Sequence, residues 1–213
     1  MARLYKIHLG GSITPTGSVT MSISHNLWAT WASLAIRHER WALDVRRGHG
    51  TAERPDLSGE LRESLLAMTA SAFALDGFYG AIRDLVYSGG RVGKPESRAG
   101  TIFEAVKRAS DVAGKTMNEN WLPELKWLFD ARRQGVHHLP QFSEGLPHPS
   151  VEGLAADEYA LYRVENATRA VDLVLSVLEG CIGHPKPALR EWAGRNTAML
   201  TNLLAERQAQ DGT

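Results

Sequence analysis

Cysteine is almost missing from this chain. Cys181 is the single one in 213 residues, which excludes an internal disulfide framework and any Cys-based structural zinc site, and fits a reducing compartment. An excess of either charge is also lacking: Lys plus Arg total 24, Asp plus Glu total 24, and the net charge without the eight histidines is zero. That balance excludes a wholly basic nucleic-acid coat and an acidic tail, and leaves room for local patches. Nowhere do ~18 apolar residues run together, and Met1 to Gly11 has no apolar run of signal-peptide length. The expectation is a cytoplasmic protein with no membrane partner. Internal repeats, low-complexity tracts and βα alternation are missing as well.

What remains is a chain of one-domain length, 43% hydrophobic and able to bury a core. Tyr5, Ile7 and Leu9 alternate with Lys6 and His8, and Val19, Met21 and Ile23 alternate with Thr20, Ser22 and Ser24. The Gly- and Pro-bearing segment between them makes residues 1–25 a β-hairpin appendage. Helical spacing follows. Leu27, Trp31, Leu34, His38, Trp41 and Val45 form the apolar stripe of a first helix. Ser58, Leu61, Leu65, Met68, Ala72, Leu75, Tyr79, Ile82 and Val86 give an unbroken seam, which predicts a central helix. A basic loop from Ser88 to Gly100 carries Arg91, Lys94 and Arg98, and a third helix is expected from about Thr101. A fourth ends near Arg133, a fifth follows Gly153 and a sixth starts at Pro187. The predicted fold is all-α, a bundle of five to six helices over residues 26–207, with 208–213 a frayed tail.

The segment Leu125 to Pro140 concentrates the chemistry. Arg132 follows Leu125 and Leu128 at helical spacing, so it falls on the inward stripe, where a guanidinium needs acceptors or a ligand. An uninterrupted helix would set His137 about 140° around from Arg132. Gly135 is expected to break the helix and bring the imidazole back beside the guanidinium. A permanent cation beside a group that titrates near neutrality suits work on a phosphate ester.

The run Arg132-Arg133-Gln134-Gly135-Val136-His137, with His138 and a Pro-containing loop behind it, resembles the R-x4–6-H motif of the HEPN superfamily of small helical domains. The segment Ser71 to Tyr79 is similar to the long helix that precedes the motif, where an acidic or polar residue braces the arginine. The resemblance covers roughly Ser58 to Gly180. It implies a HEPN-like bundle and a metal-independent ribonuclease, or a relative that keeps the fold as a scaffold for a partner protein, nucleotide or RNA. His137 would be the general acid/base, Arg132 the phosphate ligand and Asp76 the brace, with Arg133 and His138 in support and no cofactor or metal. It also implies a homodimer with two motifs facing one cleft, and an antitoxin or other protein partner of a toxin or antiphage effector. Arg133 departs from the pattern, which usually has Asn or another small polar residue there.

Plainer roles fit the same residues. Arg132 could close a buried ion pair or cap the end of its helix. Asp76 could pair with Arg83 or another cation, and His38 could be a hydrogen-bonded core histidine. His137, His138 and His148 lack the helical spacing and the cysteines of a metal site. Gly93-Lys94 is followed by Pro95 with no strand before it, unlike a Walker loop; the loop with Arg91, Lys94 and Arg98 is either a solvated linker or a basic lip beside an RNA cleft.

Overall fold

The computed structural model describes residues 8–13, 19–24, 26–49, 56–87, 97–112, 121–136, 145–149 and 154–211. Strands β1 (His8–Ile13) and β2 (Val19–Ser24) pair antiparallel, His8 opposite Ser24 and Ile13 opposite Val19. The rest is mostly helical: α1 (Leu27–His49), α2 (Leu57–Val86), α3 (Arg98–Ala109), α4 (Trp121–Val136), α5 (Asp157–Leu161), α6 (Val164–Ile182) and α7 (Arg190–Asp211). Two short strands, β3 (Leu146–Pro147) and β4 (Leu154–Ala155), pair ahead of α5, and a 3₁₀ turn at Pro187–Leu189 leads into α7.

α2 is the central helix, as its seam predicts. It packs against α1, α3, α4 and α6, and buries residues on more than one face, from Gly59 and Ser64 through Ala67, Ala70 and Ala74 to Phe78 and Ile82. Its 30 residues and a mean hydropathy of 1.4 over its best window would suffice to cross a membrane, but more than half of that window is buried inside the bundle. Burial on more than one face accounts for its apolar composition.

The inward face of α1 is not the expected one. Leu27 and Trp41 are 54% and 48% exposed, and the buried residues are Trp28, Ala29, Ala32, Ser33, Ala35, Ile36, Glu39 and Ala42. The cause is close approach. A side chain at Gly77 would stand 3.2 Å from the Trp28 backbone nitrogen, so α1 and α2 meet through small residues and the larger apolar groups are displaced to the rim. Trp28, buried where the helices meet, packs edge-on against Phe78 at 5.7 Å between ring centroids, as Phe78 does with Trp192 of α7.

Seven α-helices stand among the described residues, where the sequence predicts five to six, because the expected fifth helix divides. Arg163 is extended, the Tyr162 hydroxyl donates to the Ala131 carbonyl at 2.8 Å, and the Asn166 amide donates to the Leu161 carbonyl at 2.8 Å. The Asn166 side chain thus takes over a carbonyl at the junction of α5 and α6, and Tyr162 ties that junction to α4. α7 is also longer than expected and carries Gln208 to Asp211, the start of the supposed tail, in helix.

The end of α3 is tied to the turn after α6. Ser110 Oγ donates to the Gly180 carbonyl at 2.6 Å, and Lys186 N–H donates to the Ala109 carbonyl at 2.9 Å. Beside these contacts Cys181 is buried, its Sγ 3.9 Å from the Val106 carbonyl, and burial pushes its thiol well above the ordinary range.

Candidate functional site

Leu125, Leu128 and Ala131 are buried and fix the rotation of α4. Arg132 follows Ala131 and therefore comes to the edge of that face, its side chain 29% exposed. Its Cζ lies 4.5 Å from the centroid of the Phe73 ring, a cation–π contact. Nη1 is 3.7 Å from Oδ2 of Asp76, which is ion-pair range but longer than a hydrogen bond. The buried Nε has no hydrogen-bond partner among the described residues. A guanidinium offers five N–H donors in a fixed fork, so Arg132 has donors to give a ligand.

The close hydrogen bond of Asp76 goes elsewhere. Arg98 Nε donates to Asp76 Oδ1 at 2.6 Å, and Arg98 Cζ lies 4.5 Å from the centroid of Tyr79. The alternative partner, Arg83, is bound instead to Asp84 at 2.8 Å. One carboxylate therefore stands between two guanidiniums, each backed by an aromatic ring of α2. Phe73, Asp76 and Tyr79 recur at intervals of three residues and so share one side of the helix.

Arg98 is placed by local chemistry that the sequence reading assigned to a loop. Ser97 caps α3: its Oγ accepts from Gly100 N–H at 3.1 Å and its carbonyl accepts from Thr101 N–H at 3.0 Å. The helix consequently begins at Arg98, three residues before the expected Thr101, and the arginine is held in a first turn whose dipole is positive.

The start of α3 and one side of α4 enclose a cleft of about 480 Å³, lined among others by Arg98, Lys126, Phe129, Asp130, Arg132 and Arg133. Arg133 pairs with Asp130 at 3.3 Å, both well exposed; such surface pairs contribute little and give way to a ligand easily. Four cations thus face a cleft with one lining carboxylate, and Asp76 stands behind two of them. Anion binding is the chemistry this arrangement favours.

His137 and His138 lie outside the described residues. The expected break at Gly135 is not found, because α4 runs through it to Val136. A Cβ at Gly135 would lie 2.7 Å from Leu65 Cδ1 and 2.8 Å from the Tyr162 hydroxyl. Glycine is therefore required for the approach of α4 to α2 and to the α5–α6 junction.

Two further histidines, His38 and His148, are structural. His38 Nδ1 lies 2.7 Å from Glu63 Oε2. Burial raises the Glu63 carboxyl, but hydrogen bonds with His38 and Arg62 more than offset this and hold it below the usual range. Glu60, 1% exposed, is gripped by Arg46, whose Nε donates at 2.9 Å and whose Nη2 bonds the other oxygen, and it accepts the Val164 N–H at 3.1 Å. These bonds outweigh the upward push of burial on Glu60. His148 is buried with Nε2 3.8 Å from Glu60 Oε1, and burial pushes its imidazole below the ordinary value despite that neighbour. Among the described residues no group of three or more side chains is arranged to hold a metal ion.

Comparison of the chain with protein-family models, with curated proteins and with solved structures gave no match.

Proposed function

We propose that the cleft between α3 and α4 binds RNA phosphates and that the chain is a HEPN-like, metal-independent endoribonuclease. The observation that carries this reading is Arg132: partly buried, stacked on Phe73, with a buried Nε lacking a partner among the described residues, and facing a cleft with three further cations. His137 follows Val136, the last residue of α4, directly in sequence. In the proposed reaction His137 takes the proton of a ribose 2′-hydroxyl and the freed oxygen attacks the adjacent phosphorus. The bond to the 5′-oxygen breaks, that oxygen is reprotonated, and a 2′,3′-cyclic phosphate remains. Arg132 offsets the charge that builds on the phosphoryl oxygens. Arg133 and Lys126 bind neighbouring phosphates, and His138 supports His137.

A homodimer, a cytoplasmic setting and an antitoxin or other protein partner belong to the same proposal. The test is a mixed RNA pool incubated with purified protein in chelator, with cyclic-phosphate ends as the readout. Cleavage is expected, His137→Ala should abolish it, and Arg132→Ala should lower it about 100-fold or more with little change in melting temperature. Intact RNA after incubation with wild-type protein would instead favour a non-cleaving helical scaffold that binds a partner protein, nucleotide or RNA.

A further inference from the structure

The ribonuclease reading leaves Arg98 without a task, although it is the cation most firmly held at the cleft. It forms the hydrogen bond to Asp76, it stacks on Tyr79, and it enters the cleft from α3 while the other cations come from α4. Lys126 and Arg133 stand two helical turns apart on α4, about 10 Å along its axis. A lone phosphate cannot reach both ends of such a row, whereas a run of phosphates can. Asp76 spaces Arg98 and Arg132 by placing one carboxylate oxygen toward each, at 2.6 and 3.7 Å. Phe129 adds an apolar wall on which a base can stack. A cleft of about 480 Å³ between two helices has room for the backbone of a single strand.

We propose that Arg98 is a second phosphate ligand of this cleft, and that the ligand is a single-stranded nucleic acid gripped through at least three consecutive phosphates, with Arg98 and Arg132 on adjacent ones. The inference rests on the reading of the cleft as a nucleic-acid site, but does not require cleavage. Asp76 is then a positioning residue that holds Arg98 at the cleft and competes with the phosphates for both guanidiniums.

Labelled oligodeoxyuridylates separate these points, because without a 2′-hydroxyl they cannot be cut by the proposed route. Fluorescence anisotropy on the full chain should show affinity rising from the mononucleotide to the trimer and levelling off toward the hexamer. Each neutralised phosphate of a single strand contributes about −0.7 to the slope of log affinity against log salt. Arg98→Ala should reduce that slope by about 0.7 and weaken hexamer binding about tenfold, while Arg98→Lys, which keeps the charge, retains most of the slope. Asp76→Asn removes the competing carboxylate and should tighten binding a few-fold while lowering the melting temperature.

A mononucleotide that binds as tightly as the hexamer, or a duplex that competes as well as the single strand, overturns the assignment of the ligand. An Arg98→Ala protein that melts lower but keeps the wild-type slope and affinity shows Arg98 to be structural only, and overturns its role. Wild-type protein that binds no oligonucleotide overturns the inference together with the reading beneath it. Tight, length-dependent binding by a protein that leaves RNA intact supports the inference and removes only the nuclease.

Discussion

α2 carries an arginine–carboxylate cluster toward each end, with Glu60 and Asp76 sixteen residues, or about 24 Å, apart. Around Glu60, both carboxylate oxygens are bonded to Arg46, a backbone N–H adds a third bond, and Glu165 takes the remaining side of Arg46 at 3.0 Å. Around Asp76, one carboxylate serves two arginines and holds only one of them closely. The residue types are the same and the accounting differs. A buried pair whose donors and acceptors are matched is closed to ligands, whereas two guanidiniums sharing a single acid beside a cleft retain attraction for an anion. The ratio of donors to acceptors, more than the presence of arginine, separates the structural cluster from the candidate site.

The contrast makes its strongest demand on Arg46. Arg46→Ala leaves Glu60 buried and without its chief partner, and should destabilise the fold by about 3–5 kcal/mol in urea unfolding. Arg132→Ala removes a partly exposed cation and should cost about 1 kcal/mol or less by the same measurement. Equal costs would make both clusters structural and dissolve the distinction. Gly135→Ala comes next. Its methyl group meets Leu65 and the Tyr162 hydroxyl, so about 1–3 kcal/mol of stability should be lost through strain on a packed contact. Because the same helix carries Arg132, anion binding should weaken with it.

The smallest effect is that of pH. His148 is held below its ordinary value of 6.5, and Glu60 and Glu63 below 4.5. Groups depressed in the folded state bind protons more readily when unfolded, so each contributes stability above its unfolded value and loses it as pH falls through its folded value. Melting temperature should therefore hold above about pH 6.5, decline modestly below it, and fall further below about pH 4.5. His148→Gln should remove the first decline and keep the second. The charged groups that face His148 are Glu60, Arg46, Glu165 and Arg163.

The elements that could be read from the sequence were those whose packing is large and one-sided. The α2 seam and the buried positions of α6, Val164, Val171, Leu175, Leu178 and Ile182, follow helical spacing directly. α1 misled because its contact with α2 is made by alanines around Gly77, and a reading guided by large apolar residues selects the opposite rim. The division of α5 from α6 falls where Tyr162 reaches Ala131, a contact between residues far apart in the chain that no local pattern contains.

At the cleft, Arg132 was legible from spacing, whereas its pairing with Asp76 was expected only from the resemblance. Arg98 was legible only as one cation of a basic loop, not as the first residue of α3, because glycines and a proline before it suggest a loop that continues. Two local signals nevertheless pointed to it. Ser97 precedes Arg98 as a helix cap, and Phe73, Asp76 and Tyr79 line one face of α2 with rings and an acid suited to hold two guanidiniums.

The lone cysteine has a practical consequence. Cys181 is sealed between α3 and α6, and the chain has no other thiol for a reagent to modify. The protein thus carries a native label site that reacts when those two helices separate and stays silent while they are closed. Since α3 also carries Arg98, the rate of thiol labelling is a clock for how often that wall of the cleft comes away from the bundle.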